Sequence, residues 1–216
     1  MCDFEKASHN AVARVFPNTQ LVGCLFHLGQ CLWRKVQEFH LADHYRTNED
    51  IRMRVKMLLA LSFVPVDDVL TAFDSLADNS PPEMNTLVEY WEDTYVGPQR
   101  RHRRADPRFA ISMWNVRERT TLGLPRTNNS VEAWHRAFQQ TLDCHHPSVY
   151  KLVDQFRKEQ DSVEIAMARF NSGFRQPEAS KAKYVQLNRR LQAVCETYGA
   201  TAILDYLRAI AHNLSI

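Results

Sequence analysis

Apolar residues recur along most of this chain at intervals of three and four, the spacing that gathers them on one side of an α-helix. Phe4, Ala7, Ala11, Val12 and Val15 hold that spacing until Phe16-Pro17-Asn18 stops it, which predicts an opening helix of about three turns. Asp3 stands at its N-terminal edge and reads, on its own, as an N-cap. The run Leu21-Val22-Gly23-Cys24-Leu25-Phe26 breaks the pattern: short, mostly apolar and bounded by turn residues, it predicts the one strand of the chain, closed by His27. Leu28, Cys31, Leu32, Val36 and Phe39 then return to helical spacing. A lone strand cannot satisfy its own backbone groups, so its partners must come from elsewhere.

From residue 50 onward the helical pattern is almost unbroken. Ile51, Val55, Leu58 and Leu59 lead to Pro65; Val69, Leu70, Phe73 and Leu76 follow Asp67-Asp68; Met84, Leu87, Val88, Trp91 and Tyr95 follow Pro81-Pro82 and end at Gly97-Pro98. Residues 97–108 read as a basic, proline-bounded loop, and 109–115 as a short apolar segment that is helix or strand on pattern alone. Val131, Trp134, Phe138 and Leu142 mark a helix starting near Asn129 or Ser130. Pro147 resets the chain before a long helix carried by Val149, Leu152, Val153, Phe156, Val163, Met167 and Phe170. Gly173 to Ser180 reads as a linker ahead of two last helices, about 181–198 and 201–214. Trp91, Trp114 and Trp134 fall at apolar helical positions and are expected in the core.

Composition narrows the class without naming a function. The 216 residues, 44% apolar and 24% charged, suit a globular domain with an appendage, and a net charge of +2 says little about partners. No apolar run is long enough for a bilayer and the first residues lack signal-peptide order, so a soluble intracellular protein is expected, with no membrane partner. Five scattered cysteines fit reduced thiols better than a disulfide framework. The positive charges are uneven: Arg100, Arg101, His102, Arg103 and Arg104 form one run.

Glu132 lies in the first turn of its helix, and Asn129 to Glu132 has the spacing of a capping box, so a purely local role is open to it beside a chemical one. Zinc is a weak reading. Cys24, His27 and Cys31 lie close, as do Cys144, His145 and His146, yet each cluster offers half of the usual four-ligand pattern.

Taken together, Cys2-Asp3-Phe4-Glu5-Lys6-Ala7, Phe16-Pro17, Gly23-Cys24-Leu25-Phe26-His27 and Asn128-Asn129-Ser130-Val131-Glu132 resemble the later part of the transposase domain of Mutator-like elements, over roughly residues 2 to 170. The resemblance rests on the order and spacing of the motifs, since none of them is strong alone. It implies an RNase H-like core in which two Asp and one Glu hold Mg²⁺ or Mn²⁺ for DNA strand cleavage and transfer. Two such ions about 4 Å apart bind the attacking and leaving oxygens, which requires carboxylates converging from separate elements. On the matching motifs Asp3 is the second Asp and Glu132 the final Glu, both as catalytic metal ligands, with His27 beside the site in the family's Cys-x-x-His.

The family's first Asp lies on an earlier strand with no counterpart in these residues. The expectation is therefore a truncated or exapted fragment, inactive and unable to hold the ions stably by itself. A mainly α fold follows: an RNase H-like core remnant of one strand plus helices over 1–46, an all-helical insertion over 47–125, return helices carrying the final Glu over 126–172, and a helical tail over 173–216. The implied partner is DNA at transposon ends, met by Arg100, Arg101, Arg103 and Arg104; the implied setting is the nucleus, with a homo-oligomer allowed. The alternative is a non-catalytic helical module that binds DNA or a protein.

Overall fold

The computed structural model describes residues 1–101, 103–144, 146–174 and 182–216. The fold is mainly α, with 69% helix, 2% strand and no sheet among the described residues. The chain divides into two compact units. The first comprises Met1–Thr127 with Lys183–Ile216, and the second Asn128–Ala182.

In the first unit the helices are α1 (Lys6–Val15), α2 (Leu25–Glu38), α3 (Ala42–Thr47), α4 (Glu49–Ala60), α5 (Val69–Asp78), α6 (Asn85–Trp91), α7 (Ile111–Trp114) and α8 (Arg117–Thr121). The C-terminal segment adds α11 (Ala182–Glu196) and α12 (Ile203–Ala211). Asn48 begins α4 by the expected chemistry: its side chain accepts from the amides of Asp50 at 2.9 Å and Ile51 at 3.3 Å, with Glu49 and Asp50 in the first turn. Ile51, Val55, Leu58 and Leu59 then enter the core, packed with α12 through Tyr206, Leu207 and Ile210. Each such side chain contributes about 1.5–3 kcal/mol by leaving water. The segment named above as a tail for its place in the sequence is thus part of this core.

Arg117 ties the C-terminal helices down. Its guanidinium donates to the Phe63 carbonyl at 3.2 Å, the Tyr206 hydroxyl at 3.0 Å and the Cys195 carbonyl at 3.0 Å, and lies 4.8 Å from the centre of the Tyr198 ring. Trp91 and Trp114 are buried as expected, the Trp114 indole donating to the Tyr95 carbonyl at 3.1 Å.

The expected strand over 21–26 is not formed. Residues 22–24 make one isolated parallel bridge, Cys2 to Gly23, and α2 begins at Leu25 with Cys24 as its N-cap. Leu25 is in phase with Leu28, Leu32 and Val36 of the helix it opens, whereas Phe26 is 47% exposed; a short apolar run carries no period to tell strand from helix. His27 accordingly sits in the first turn of α2.

The second unit is a helical hairpin of α9 (Asn129–Leu142) and α10 (Val149–Asn171). Ser148 caps α10, accepting from the Lys151 amide at 3.3 Å. The helix ends in a Schellman motif: Gly173, at φ +84°, donates to Phe170 and Phe174 donates to Arg169. Phe138 stacks on Phe156 with ring centres 4.9 Å apart, and the Trp134 indole donates to Glu159 at 2.6 Å. Trp134, expected in the core, is 39% exposed, and α10 has no buried residue. Of the expected linker, residues 175–180 lie outside the described residues, as do His102 and His145.

Candidate functional site

The first four residues are fixed against the entry to α2. Cys2 donates to the Val22 carbonyl at 2.9 Å and accepts from the Cys24 amide at 3.0 Å, while on the other side the Gly23 amide donates to Met113 at 2.7 Å. Residues 22–24 are therefore paired along both backbone edges. Gly23 is required by close approach: a Cβ there would stand 2.6 Å from Cζ of the Phe4 ring. Phe4 in turn packs edge-on against Tyr95 and Phe109, at 5.7 and 5.2 Å between ring centres.

Between Cys2 and Phe4, Asp3 faces His27, with Oδ1 2.8 Å from Nδ1. The carboxylate is 58% exposed and the imidazole 18%. Asp3 is not the N-cap of α1; Glu5 holds that place, and its side chain makes no capping bond. The His9 ring is buried against Phe109, and its Nε2 lies 2.5 Å from the Asp3 carbonyl, so that nitrogen carries the proton and donates. His9 therefore holds the backbone of Asp3, a role that nothing in its sequence spacing announces.

This arrangement orients a carboxylate on an imidazole and leaves much of the carboxylate open to solvent. One carboxylate and one imidazole do not fit a pair of hard divalent ions, which take several carboxylate oxygens. Among the described residues no group of three or more His, Cys, Asp or Glu side chains is placed to hold a metal ion. Cys24 is fully buried, and burial pushes the thiols of Cys2, Cys31 and Cys195 up, which keeps them protonated and weakly nucleophilic.

Arg126 is held at the same place. The carbonyl of Arg126 accepts from the Leu25 amide at 3.0 Å, in the first turn of α2, and the Arg126 guanidinium donates to Asn188 at 2.7 Å. Desolvation lowers the pKa of that guanidinium. In the second unit Asn128 is the N-cap of α9; its carbonyl accepts from the amides of Val131 at 2.9 Å and Glu132 at 3.0 Å. Glu132 is thus the fourth residue of the helix, half-buried, and the Asn129 capping box is not formed because the helix begins one residue earlier than that box requires.

The basic loop divides in two. Gly97, at φ +96°, turns the chain where a Cβ would stand only 2.0 Å from the Ala105 carbonyl oxygen, and Arg100 donates to the Arg103 carbonyl at 2.9 Å. Arg104 points inward: it pairs with Asp74, donates to Glu92 at 2.5 Å and to the Gly97 carbonyl at 2.8 Å, and lies over the Phe73 ring. Its side chain is 14% exposed. Arg100, Arg101 and Arg103 are exposed, so they are the members of the run whose charge faces solvent.

Comparison of the chain with family models, with curated proteins and with solved structures gave no match. No helix among the described residues is long and apolar enough to cross a membrane.

Proposed function

We propose that the chain is the later part of a DNA transposase domain of the Mutator-like class, with Asp3 and Glu132 as two of its three catalytic carboxylates. The observation that carries this reading is the 2.8 Å contact of Asp3 with His27. The second Asp and the Cys-x-x-His of the resemblance are far apart in sequence, and a chance match of motifs gives no reason for them to meet. The pairing of residues 22–24 along both edges supports an origin in a sheet.

In this reading Asp3 is held by Phe4 and His9 and oriented by His27, and Glu132 opens α9. The third carboxylate belongs to an earlier strand of the family's core, so cleavage and strand transfer require it. Arg100, Arg101 and Arg103 contact the DNA backbone without reading bases, and the protein works in the nucleus.

The test is strand cleavage. Protein expressed together with the coding sequence that precedes residue 1 in frame is expected to nick transposon-end DNA with Mn²⁺, and to lose nicking in both Asp3→Asn and Glu132→Gln. Nicking that survives both substitutions would remove these residues from the chemistry. A preceding sequence that encodes neither strands nor an Asp would favour the non-catalytic module.

A further inference from the structure

Along α10 the residues Val149, Val153, Phe156, Val163, Met167 and Phe170 are spaced by four, three, seven, four and three, with Gln160 filling the gap. That is an unbroken a/d heptad seam running the length of the helix, and Phe174 just beyond it keeps the register. An ordinary amphipathic helix drifts away from a strict seven-residue repeat, so its persistence over three heptads is informative. These apolar seam residues are 41 to 74% exposed. The α9 helix meets α10 at Phe156, a seam residue that stays 48% exposed, and at Glu159 beside the seam.

We infer that α10 is a dimerisation helix that pairs with α10 of a second copy of this chain as an antiparallel coiled coil. Charge decides the direction. In a parallel pair Glu159 at position g would face Glu164 at position e of the second copy, twice over. In an antiparallel pair centred between Gln160 and Val163, every a residue packs opposite a d residue: Gln160 opposite Val163, Phe156 opposite Met167 and Val153 opposite Phe170. Arg157 then faces Glu164 of the second copy at both ends of a two-fold axis.

The local partners of these charges leave them able to do so. Arg157 is 3.9 Å from the exposed Asp154, a pair worth little, and Glu164 accepts from Gln160 at 2.8 Å with its second oxygen left over. The exposed seam amounts to roughly 600–700 Å² of apolar surface per chain, and about 1,300 Å² in a pair lies within the range of stable interfaces. Gln160, the one polar seam residue, would fix the register at some cost in affinity. This inference does not depend on the transposase reading.

The experiment is sedimentation equilibrium of the whole chain across micromolar concentrations, with far-UV circular dichroism as the folding control. A dimer is expected for the wild type. Val163→Asp with Met167→Asp should leave helix content unchanged and give a monomer. Arg157→Glu alone should weaken the dimer about tenfold, and Arg157→Glu with Glu164→Arg should restore it. A wild-type chain that stays monomeric, or a dimer that ignores the seam substitutions, overturns the proposal. A double charge swap that tightens the dimer well beyond wild type overturns the antiparallel arrangement, because Glu164→Arg attracts Glu159 of the second copy only in a parallel pair.

Discussion

Replacing Gly23 by Ala tests the contact that holds Asp3 in place. The added Cβ would lie 2.6 Å from Phe4 Cζ, whereas ordinary van der Waals contact begins near 3.4 Å, so the ring or the backbone must yield by close to an ångström. The ring cannot simply swing away, because Tyr95 and Phe109 pack against it. Overpacking of this kind costs about 1–3 kcal/mol, offset by some 0.4–1 kcal/mol from the stiffer unfolded chain. The expected net loss is about 1–2 kcal/mol, and at 2–4 °C per kcal/mol for a chain of this size Tm should fall by roughly 2–8 °C. Urea unfolding at 25 °C gives the stability directly. The reasoning is specific to Phe4, so in a Phe4→Ala background Gly23→Ala should cost close to nothing. A cost that persists there, or a neutral Gly23→Ala in the wild type, would refute it.

Four other variants separate structural from functional groups. Arg104→Ala leaves Glu92 without its internal partner and should lower stability by about 2–3 kcal/mol by urea unfolding, whereas Arg100→Ala with Arg101→Ala and Arg103→Ala should leave stability unchanged and flatten the salt dependence of DNA binding by up to about 3 in log–log slope. Arg117→Leu removes the donor shared by the Phe63 and Cys195 carbonyls and the Tyr206 hydroxyl, and should cost about 2–4 kcal/mol by the same measure. Burial and the hydrogen bond to Asp68 push Tyr198 up to about 12. A group whose folded pKa is raised stabilises the fold below its unfolded value, so this contribution should be complete below pH 10 and lost as pH rises toward 12. The Tm difference between wild type and Tyr198→Phe should shrink over that interval.

Helices were legible where apolar residues repeat over several turns, as in α4, α5 and α12, because burial of one face decides those segments. Shorter stretches were not. Leu25 and Phe26 are apolar in a strand or at a helix start, and only the continuity of Leu25 with Leu28 and Leu32 assigns them. Asp3 reads as a cap for any helix beginning just after it, but α1 begins later and the side chain is taken by His27. Arg104 looked like its neighbours in the basic run because Asp74 and Glu92, which turn it inward, lie far away in sequence. The apolar stripe of α10 correctly marked a helix, yet those residues are exposed; periodicity reveals a face and not what covers it.

Asp3 and Glu132 are proposed above as metal-binding carboxylates of a transposase. Titration of the chain with Mn²⁺, followed by the water-proton relaxation of bound ion, tests that assignment most directly. Weak, millimolar binding is expected, falling in Asp3→Asn and again in Glu132→Gln, with Glu83→Gln, an exposed carboxylate in the turn before α6, as an unaffected control. Identical Mn²⁺ binding by the wild type and both variants would contradict it.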